Sequence, residues 1–155
     1  MLIDMTLVER IAQDLTAAMK KQDAPRTSAL RMAKAALMNR EIEKRSALDD
    51  AEATRVLQGL VKQREDSIFQ FRQASRPELV QKEQAELDVL KAYLPEEASE
   101  AEIASAVEKA VAETGASSPK DIGKAMKAAL AALAASGKPA DGKKVNDAVR
   151  RRLSA

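Results

Sequence analysis

"LVKQREDSIFQFRQASRPELVQKEQAELDVL", residues 60–90, decides how the chain folds. Leu60, Val61, Ile68 and Phe71 recur at helical steps in its first half, and Leu79, Val80, Leu87 and Leu90 do so in its second. Between them "QASRPE" reads as a tight turn, with Ser75 and Glu78 spaced as a capping box. Two helices, near 50–73 and near 76–94, are therefore predicted to form an antiparallel hairpin. Each stripe is broken once by a charge. Arg64 falls in line with Leu60, Ile68 and Phe71, and Glu83 with Leu79, Leu87 and Leu90. A hairpin turning near Ser75 sets position 64 opposite the region 83–87, so Arg64 and Glu83 are expected to be a structural pair, with Glu86 as the alternative partner.

Working outward, the same periodicity predicts helices near 6–21 (Leu7, Ile11, Leu15, Met19) and near 25–46 (Leu30, Ala33, Leu37, Met38, Ile42). On the other side, Pro95 in "YLPEEASE" disfavours helix at Leu94, and composition shifts abruptly there. The domain boundary is expected at this point, dividing the chain into 1–95 and 96–155. Beyond it come helices near 99–114 (Ile103, Val107, Ala110, Val111), near 119–135 (Ile122, Met126, Ala129, Leu130, Leu133) and near 141–153 (Val145, Ala148, Val149, Leu153). Further capping boxes fit at Thr6/Glu9, Asp49/Glu52, Ser99/Glu102 and Ser118/Asp121, with weaker starts at Asp23 or Ala24 and at Asp141. The expected fold class is all-α: four helices, then three. The alanine-rich "AMKAALAALAAS" belongs to this pattern as a core-facing helix, because alanine is the best helix former and Met126, Leu130 and Leu133 keep one face.

Composition removes most catalytic machinery. Cysteine and histidine are both absent, which excludes a thiol nucleophile, a histidine-based triad and a zinc site with Cys or His ligands. No cofactor and no metal site is expected. Ser117, Ser118, Lys120 and Lys124 superficially suggest a Ser–Lys nucleophile, but Ser118-Pro119 is already explained as a helix start and nothing desolvates a lysine. No catalytic residue is assigned. Asp4 and Glu9 interrupt the N-terminal stretch where a signal peptide needs an apolar run, and no later run reaches the length of a membrane span. These readings, with zero cysteines, predict a cytoplasmic protein that does not engage membranes.

Net charge is only +2, but its distribution is polar. Residues 1–95 hold 16 basic and 15 acidic side chains, residues 96–115 hold 1 and 6, and residues 116–155 hold 9 and 3. The nine basics are Lys120, Lys124, Lys127, Lys138, Lys143, Lys144, Arg150, Arg151 and Arg152. They are the candidate nucleic-acid-binding set, since lysine and arginine supply the sequence-independent part of such affinity. No aromatic lies among them, which favours backbone or shape contact with structured RNA over stacking on single strands. A merely solvated surface is the competing explanation.

Five stretches, "LRMAKAALMNREIEK", "LVKQREDSIFQF", "KAYLPEEASEAEI", "ETGASSPKDIGKAM" and "ADGKKVNDAVRRRL", together resemble the YqeY family, freestanding relatives of the GatB tail domain. The resemblance implies a helical domain followed by a small three-helix YqeY domain. It also implies a link to the glutamine-dependent amidotransferase that corrects mischarged tRNA, a carbon–nitrogen ligase with glutamine as amide donor. In that enzyme the tail grips tRNA and the catalytic parts lie elsewhere. Lys124 in "GKAM" and Lys143 in "ADGK" stand at matching positions, whereas "KAALAALAASGKPADGK" is richer in alanine and poorer in positive charge than the family pattern. The expectation is a non-catalytic tRNA-binding accessory, with the amidotransferase or aminoacyl-tRNA machinery as possible partners. The alternatives are a helical protein–protein adaptor without an RNA role and an amidotransferase component whose chemistry other subunits supply.

Overall fold

The computed structural model describes residues 4–154, and among them all regular structure is helical. Seven α-helices follow in order: α1 (Leu7–Lys20), α2 (Ala24–Lys44), α3 (Asp50–Gln73), α4 (Pro77–Lys91), α5 (Glu100–Thr114), α6 (Ile122–Ala135) and α7 (Gly142–Ser154). A single 3-10 turn, Pro119–Asp121, precedes α6. No helix among the described residues is long and apolar enough to cross a membrane. Residues 1–3, the start of the N-terminal stretch that lacks the apolar run of a signal peptide, lie outside the described residues.

The chain divides into two compact units, Met1–Leu94 and Pro95–Ala155, each with its own apolar core. In the first, α1 packs on α2, α3 on α4, and α2 also lies against α4. Ile11, Leu30, Leu37, Leu57 and Leu90 fill the centre. Burying a side chain of this size contributes about 1.5–3 kcal/mol relative to leaving it exposed. In the second unit α5 packs on α6 and α7, around Ile103, Val107, Leu133, Val145, Val149 and Leu153. Ala125 and Ala129 of α6 are fully buried, so the alanine-rich helix turns its smallest residues inward, where they admit close neighbours. A backbone bond from Ala98 N–H to the Pro139 carbonyl, 2.9 Å, ties the entry of α5 to the loop before α7.

Helix starts follow local chemistry. Reciprocal capping boxes form at Thr6/Glu9, Asp49/Glu52 and Ser99/Glu102, and Asp23 accepts from the Arg26 N–H at 3.2 Å. The Ser75/Glu78 box expected at the hairpin does not form. Pro77 occupies the first helical position, which moves the cap to Arg76, and Ser75 takes a left-handed turn conformation at φ 55°. Glu78 instead meets Arg76 at 2.7 Å. Three apolar assignments also need correction. Met19, Met38 and Ile42, read as core-facing, are 49 %, 51 % and 71 % exposed, while Ala18 and Ala29 are buried. On α2 the buried arc runs through Ala29, Leu30, Ala33 and Leu37, and Met38 and Ile42 lie on the opposite side of the helix.

Candidate functional site

The candidate surface is built on the second unit, where α6, the turn before it and α7 carry the basic residues. Asp121 organises the turn: its carboxylate accepts from the backbone N–H of Ser117 at 3.0 Å and of Ser118 at 3.4 Å. The first of these bonds is the main reason its carboxyl is held below the usual aspartate range. Lys120, Lys124 and Lys127, spaced at four and three residues, then follow one outward row across the turn and α6. Lys124 is partly engaged by Asp121 at 3.7 Å.

α7 buries Val145, Val149 and Leu153, and its basic residues divide on the two sides of that stripe. Lys143 and Arg150 flank Asn146, which donates to Met126 Sδ of α6 at 3.4 Å and accepts from Arg150 Nε at 2.6 Å. On the other side Lys144, Arg151 and Arg152 line a groove of about 590 Å³ between α7 and α5. Its floor includes Ile103 and Val107, and Glu100 and Glu108 form part of the α5 side.

The nine basics do not form one uniform face. Three are held by acids: Lys138 by Glu102 at 2.7 Å, Arg152 by Glu108 at 2.5 Å, and Lys124 by Asp121. The Lys138 ammonium holds the Glu102 carboxyl below its ordinary range, and Glu102 in turn raises Lys138. Among the described residues, the other six have no carboxylate within ion-pair distance and all are exposed: Lys120, Lys127, Lys143, Lys144, Arg150 and Arg151. Backbone phosphates are the groups such exposed cations contact without reading sequence.

Two polar clusters lie in the first unit. Arg64, 6 % exposed, places Nη1 at 2.9 Å from Glu83 and 2.5 Å from Glu86, with Nη2 against Met32 Sδ at 2.6 Å. One guanidinium thus meets both acids, and Glu86 is the more buried of the two. The second cluster was missed in the sequence. Tyr93 donates to Asp14 at 2.5 Å and accepts from Arg26 at 3.1 Å, while the Arg10 guanidinium sits 4.7 Å from its ring centre. Burial foremost, then the hydrogen bond to Asp14, pushes the phenol up to about 12. The available signal was that Tyr93 is the only tyrosine, three residues after Leu90. Among the described residues no group of three or more acidic side chains is arranged to hold a metal ion.

A family model described as "Yqey-like protein" matches residues 8–153. Among curated relatives, "Altered inheritance of mitochondria protein 41, mitochondrial" of Lachancea thermotolerans is 33 % identical over 115 residues, covering 72 % of this chain and 62 % of that protein. The protein of the same name from Pyrenophora tritici-repentis is 33 % identical over 87 residues, covering 56 % and 48 %. That from Saccharomyces cerevisiae is 35 % identical over 88 residues, with the same coverage of 56 % and 48 %. The chain spans about half the length of the curated relatives it matches. Their mitochondrial names overturn the cytoplasmic location expected from the sequence. That expectation rested on Asp4 and Glu9 interrupting a secretory signal pattern and on the lack of a membrane-length apolar run, with zero cysteines as a consistent addition, and none of these separates the cytosol from another reducing compartment.

Proposed function

The chain belongs to the YqeY-like family, and from that membership we propose that it is a non-catalytic accessory that contacts structured RNA, with tRNA as the partner, through its second unit. The observation that carries the reading is the set of six exposed cations on α6, the turn before it and α7 that no described carboxylate neutralises. Each such cation placed against a phosphate releases counterions, which gives affinity without base readout. The lack of an aromatic among them fits a partner met through its backbone. Beside the glutamine-dependent tRNA amidotransferase its role would be that of a partner. With neither cysteine nor histidine in the chain, other subunits would supply the chemistry.

Binding of total tRNA to the full chain, measured across a salt series, tests the proposal. Replacing Lys143, Lys144, Arg150 and Arg151 with Gln is expected to weaken binding and flatten its salt dependence, with helicity retained. A salt-independent absence of binding by the unmodified chain would overturn the RNA reading. A glutaminase assay on the isolated chain is expected to show no turnover, and activity there would overturn the non-catalytic one.

A further inference from the structure

The outer face of α2 carries an apolar seam that nothing in the first unit covers. Ala29, Leu30, Ala33 and Leu37 bury the inner face of this helix. Opposite them, Arg31, Ala35, Met38 and Ile42 recur at steps of four, three and four, and all are exposed, Met38 at 51 % and Ile42 at 71 %. This is the spacing that keeps side chains in register with a second helix laid alongside. Met38 adds a flexible, polarisable surface that adapts to a partner's shape.

The charges beside the seam select what covers it. Arg31 and Lys34 stand at its N-terminal end and Arg45 follows its C-terminal end at the left-handed cap. Among the described residues none of the three has a carboxylate within ion-pair distance, whereas Arg40 is held by Glu43 and Lys44 by Glu52. Glu41 offsets one charge on the flank. A second copy is disfavoured: an antiparallel α2–α2 pairing centred on Met38 sets Arg31 against Arg45, and a parallel one sets each arginine against itself. RNA brings the right charge but no aliphatic surface for Met38 and Ile42. We propose that the outer face of α2 is a docking site for a partner protein helix whose short apolar stripe is bracketed by carboxylates, seated helix against helix. This interaction is independent of the RNA surface on the second unit, so either can fail without the other.

The test uses the full chain and two synthetic peptides of about 20 residues, long enough for several helical turns. Both carry leucines at the seam spacing; one brackets them with glutamates, the other with lysines. Titration is expected to give the glutamate peptide a Kd on the order of 10–100 µM. The lysine peptide should bind at least about tenfold more weakly at low salt. Met38→Gln with Ile42→Gln should abolish binding, and thermal melts should stay unchanged because both side chains are exposed. Arg31→Glu with Lys34→Glu leaves the apolar seam intact and should reverse the preference toward the lysine peptide. Equal binding of both peptides, full binding by the double glutamine variant, or no binding of either peptide would overturn the proposal. So would displacement of the glutamate peptide by tRNA, or self-association that the double glutamine variant abolishes, which would assign the face to RNA or to a second copy.

Discussion

Arg64 carries a charge where its stripe calls for an apolar side chain, and its surroundings account for it. The guanidinium is nearly sealed from water with Glu83 at 2.9 Å and Glu86 at 2.5 Å. Arg64→Met should destabilise the first unit by roughly 3–5 kcal/mol, because it strands two carboxylates, one of them buried. Glu83→Gln should cost less than Glu86→Gln, since Glu83 keeps more contact with solvent. A double-mutant cycle on Arg64→Met and Glu83→Met, read by denaturant unfolding, is expected to be strongly non-additive, and additive effects would dissolve the pair. Tyr93 gives a cleaner optical readout because it is the only tyrosine and tryptophan is absent. Its phenolate absorbance should titrate near about 12 in the native protein and about 10 in denaturant. The folded state holds this proton more tightly than the unfolded one, so the associated stability is complete below the unfolded value and is lost as pH rises through the folded one. Comparison with Tyr93→Phe isolates the contribution of this phenol. A native midpoint near the free-tyrosine value would refute the burial of the ring.

At the scale of elements, the glycines separate two roles. Gly115 ends α5 in the left-handed conformation, φ 69°, with its N–H on the Val111 carbonyl at 3.0 Å. A Cβ there would meet no atom within 4 Å, so the cost of Gly115→Ala is conformational alone, about 1–2 kcal/mol. Gly59 lies inside α3 with equally open space around it. Gly59→Ala should stabilise by about 0.5–1 kcal/mol, because alanine loses less freedom on entering a helix. Opposite shifts in denaturation midpoint for these two substitutions are the expected result. α1 shows how an element can also be capped from afar: besides Thr6, the Asp50 carboxylate at the start of α3 accepts from the Leu7 N–H at 2.8 Å.

For the whole molecule, a net charge of +2 conceals the concentration of nine basic residues against three acidic ones in 116–155. Ion pairing withdraws three of the nine, so the proposed electrostatic affinity for RNA would rest on the remaining six. On duplex nucleic acid each phosphate contact contributes about 0.9 to the slope of log affinity against log salt. Neutralising Lys143, Lys144, Arg150 and Arg151 should therefore lower that slope by at most about 3.6. Neutralising Lys138, already committed to Glu102, should change it little. A variant of Lys138 as damaging as the fourfold variant would show that the ion pairs open on binding.

By itself the sequence determined the helices, because periodicity, prolines and caps act within a few residues: Thr6, Asp49 and Ser99 each close their boxes locally. It also placed Arg64 opposite the region 83–87, because a hairpin turn fixes register between its two arms. Only tertiary structure decided which arc of each helix is buried, since Met38 and Ile42 form a second apolar row on α2 yet stand outside, the neighbours having packed on the row of Ala29, Leu30, Ala33 and Leu37. It likewise decided which cations stay available. Lys138 and Glu102 are 36 positions apart and Arg152 and Glu108 are 44 apart, and no short-range pattern records the folding of α7 and its preceding loop back against α5 that brings them together.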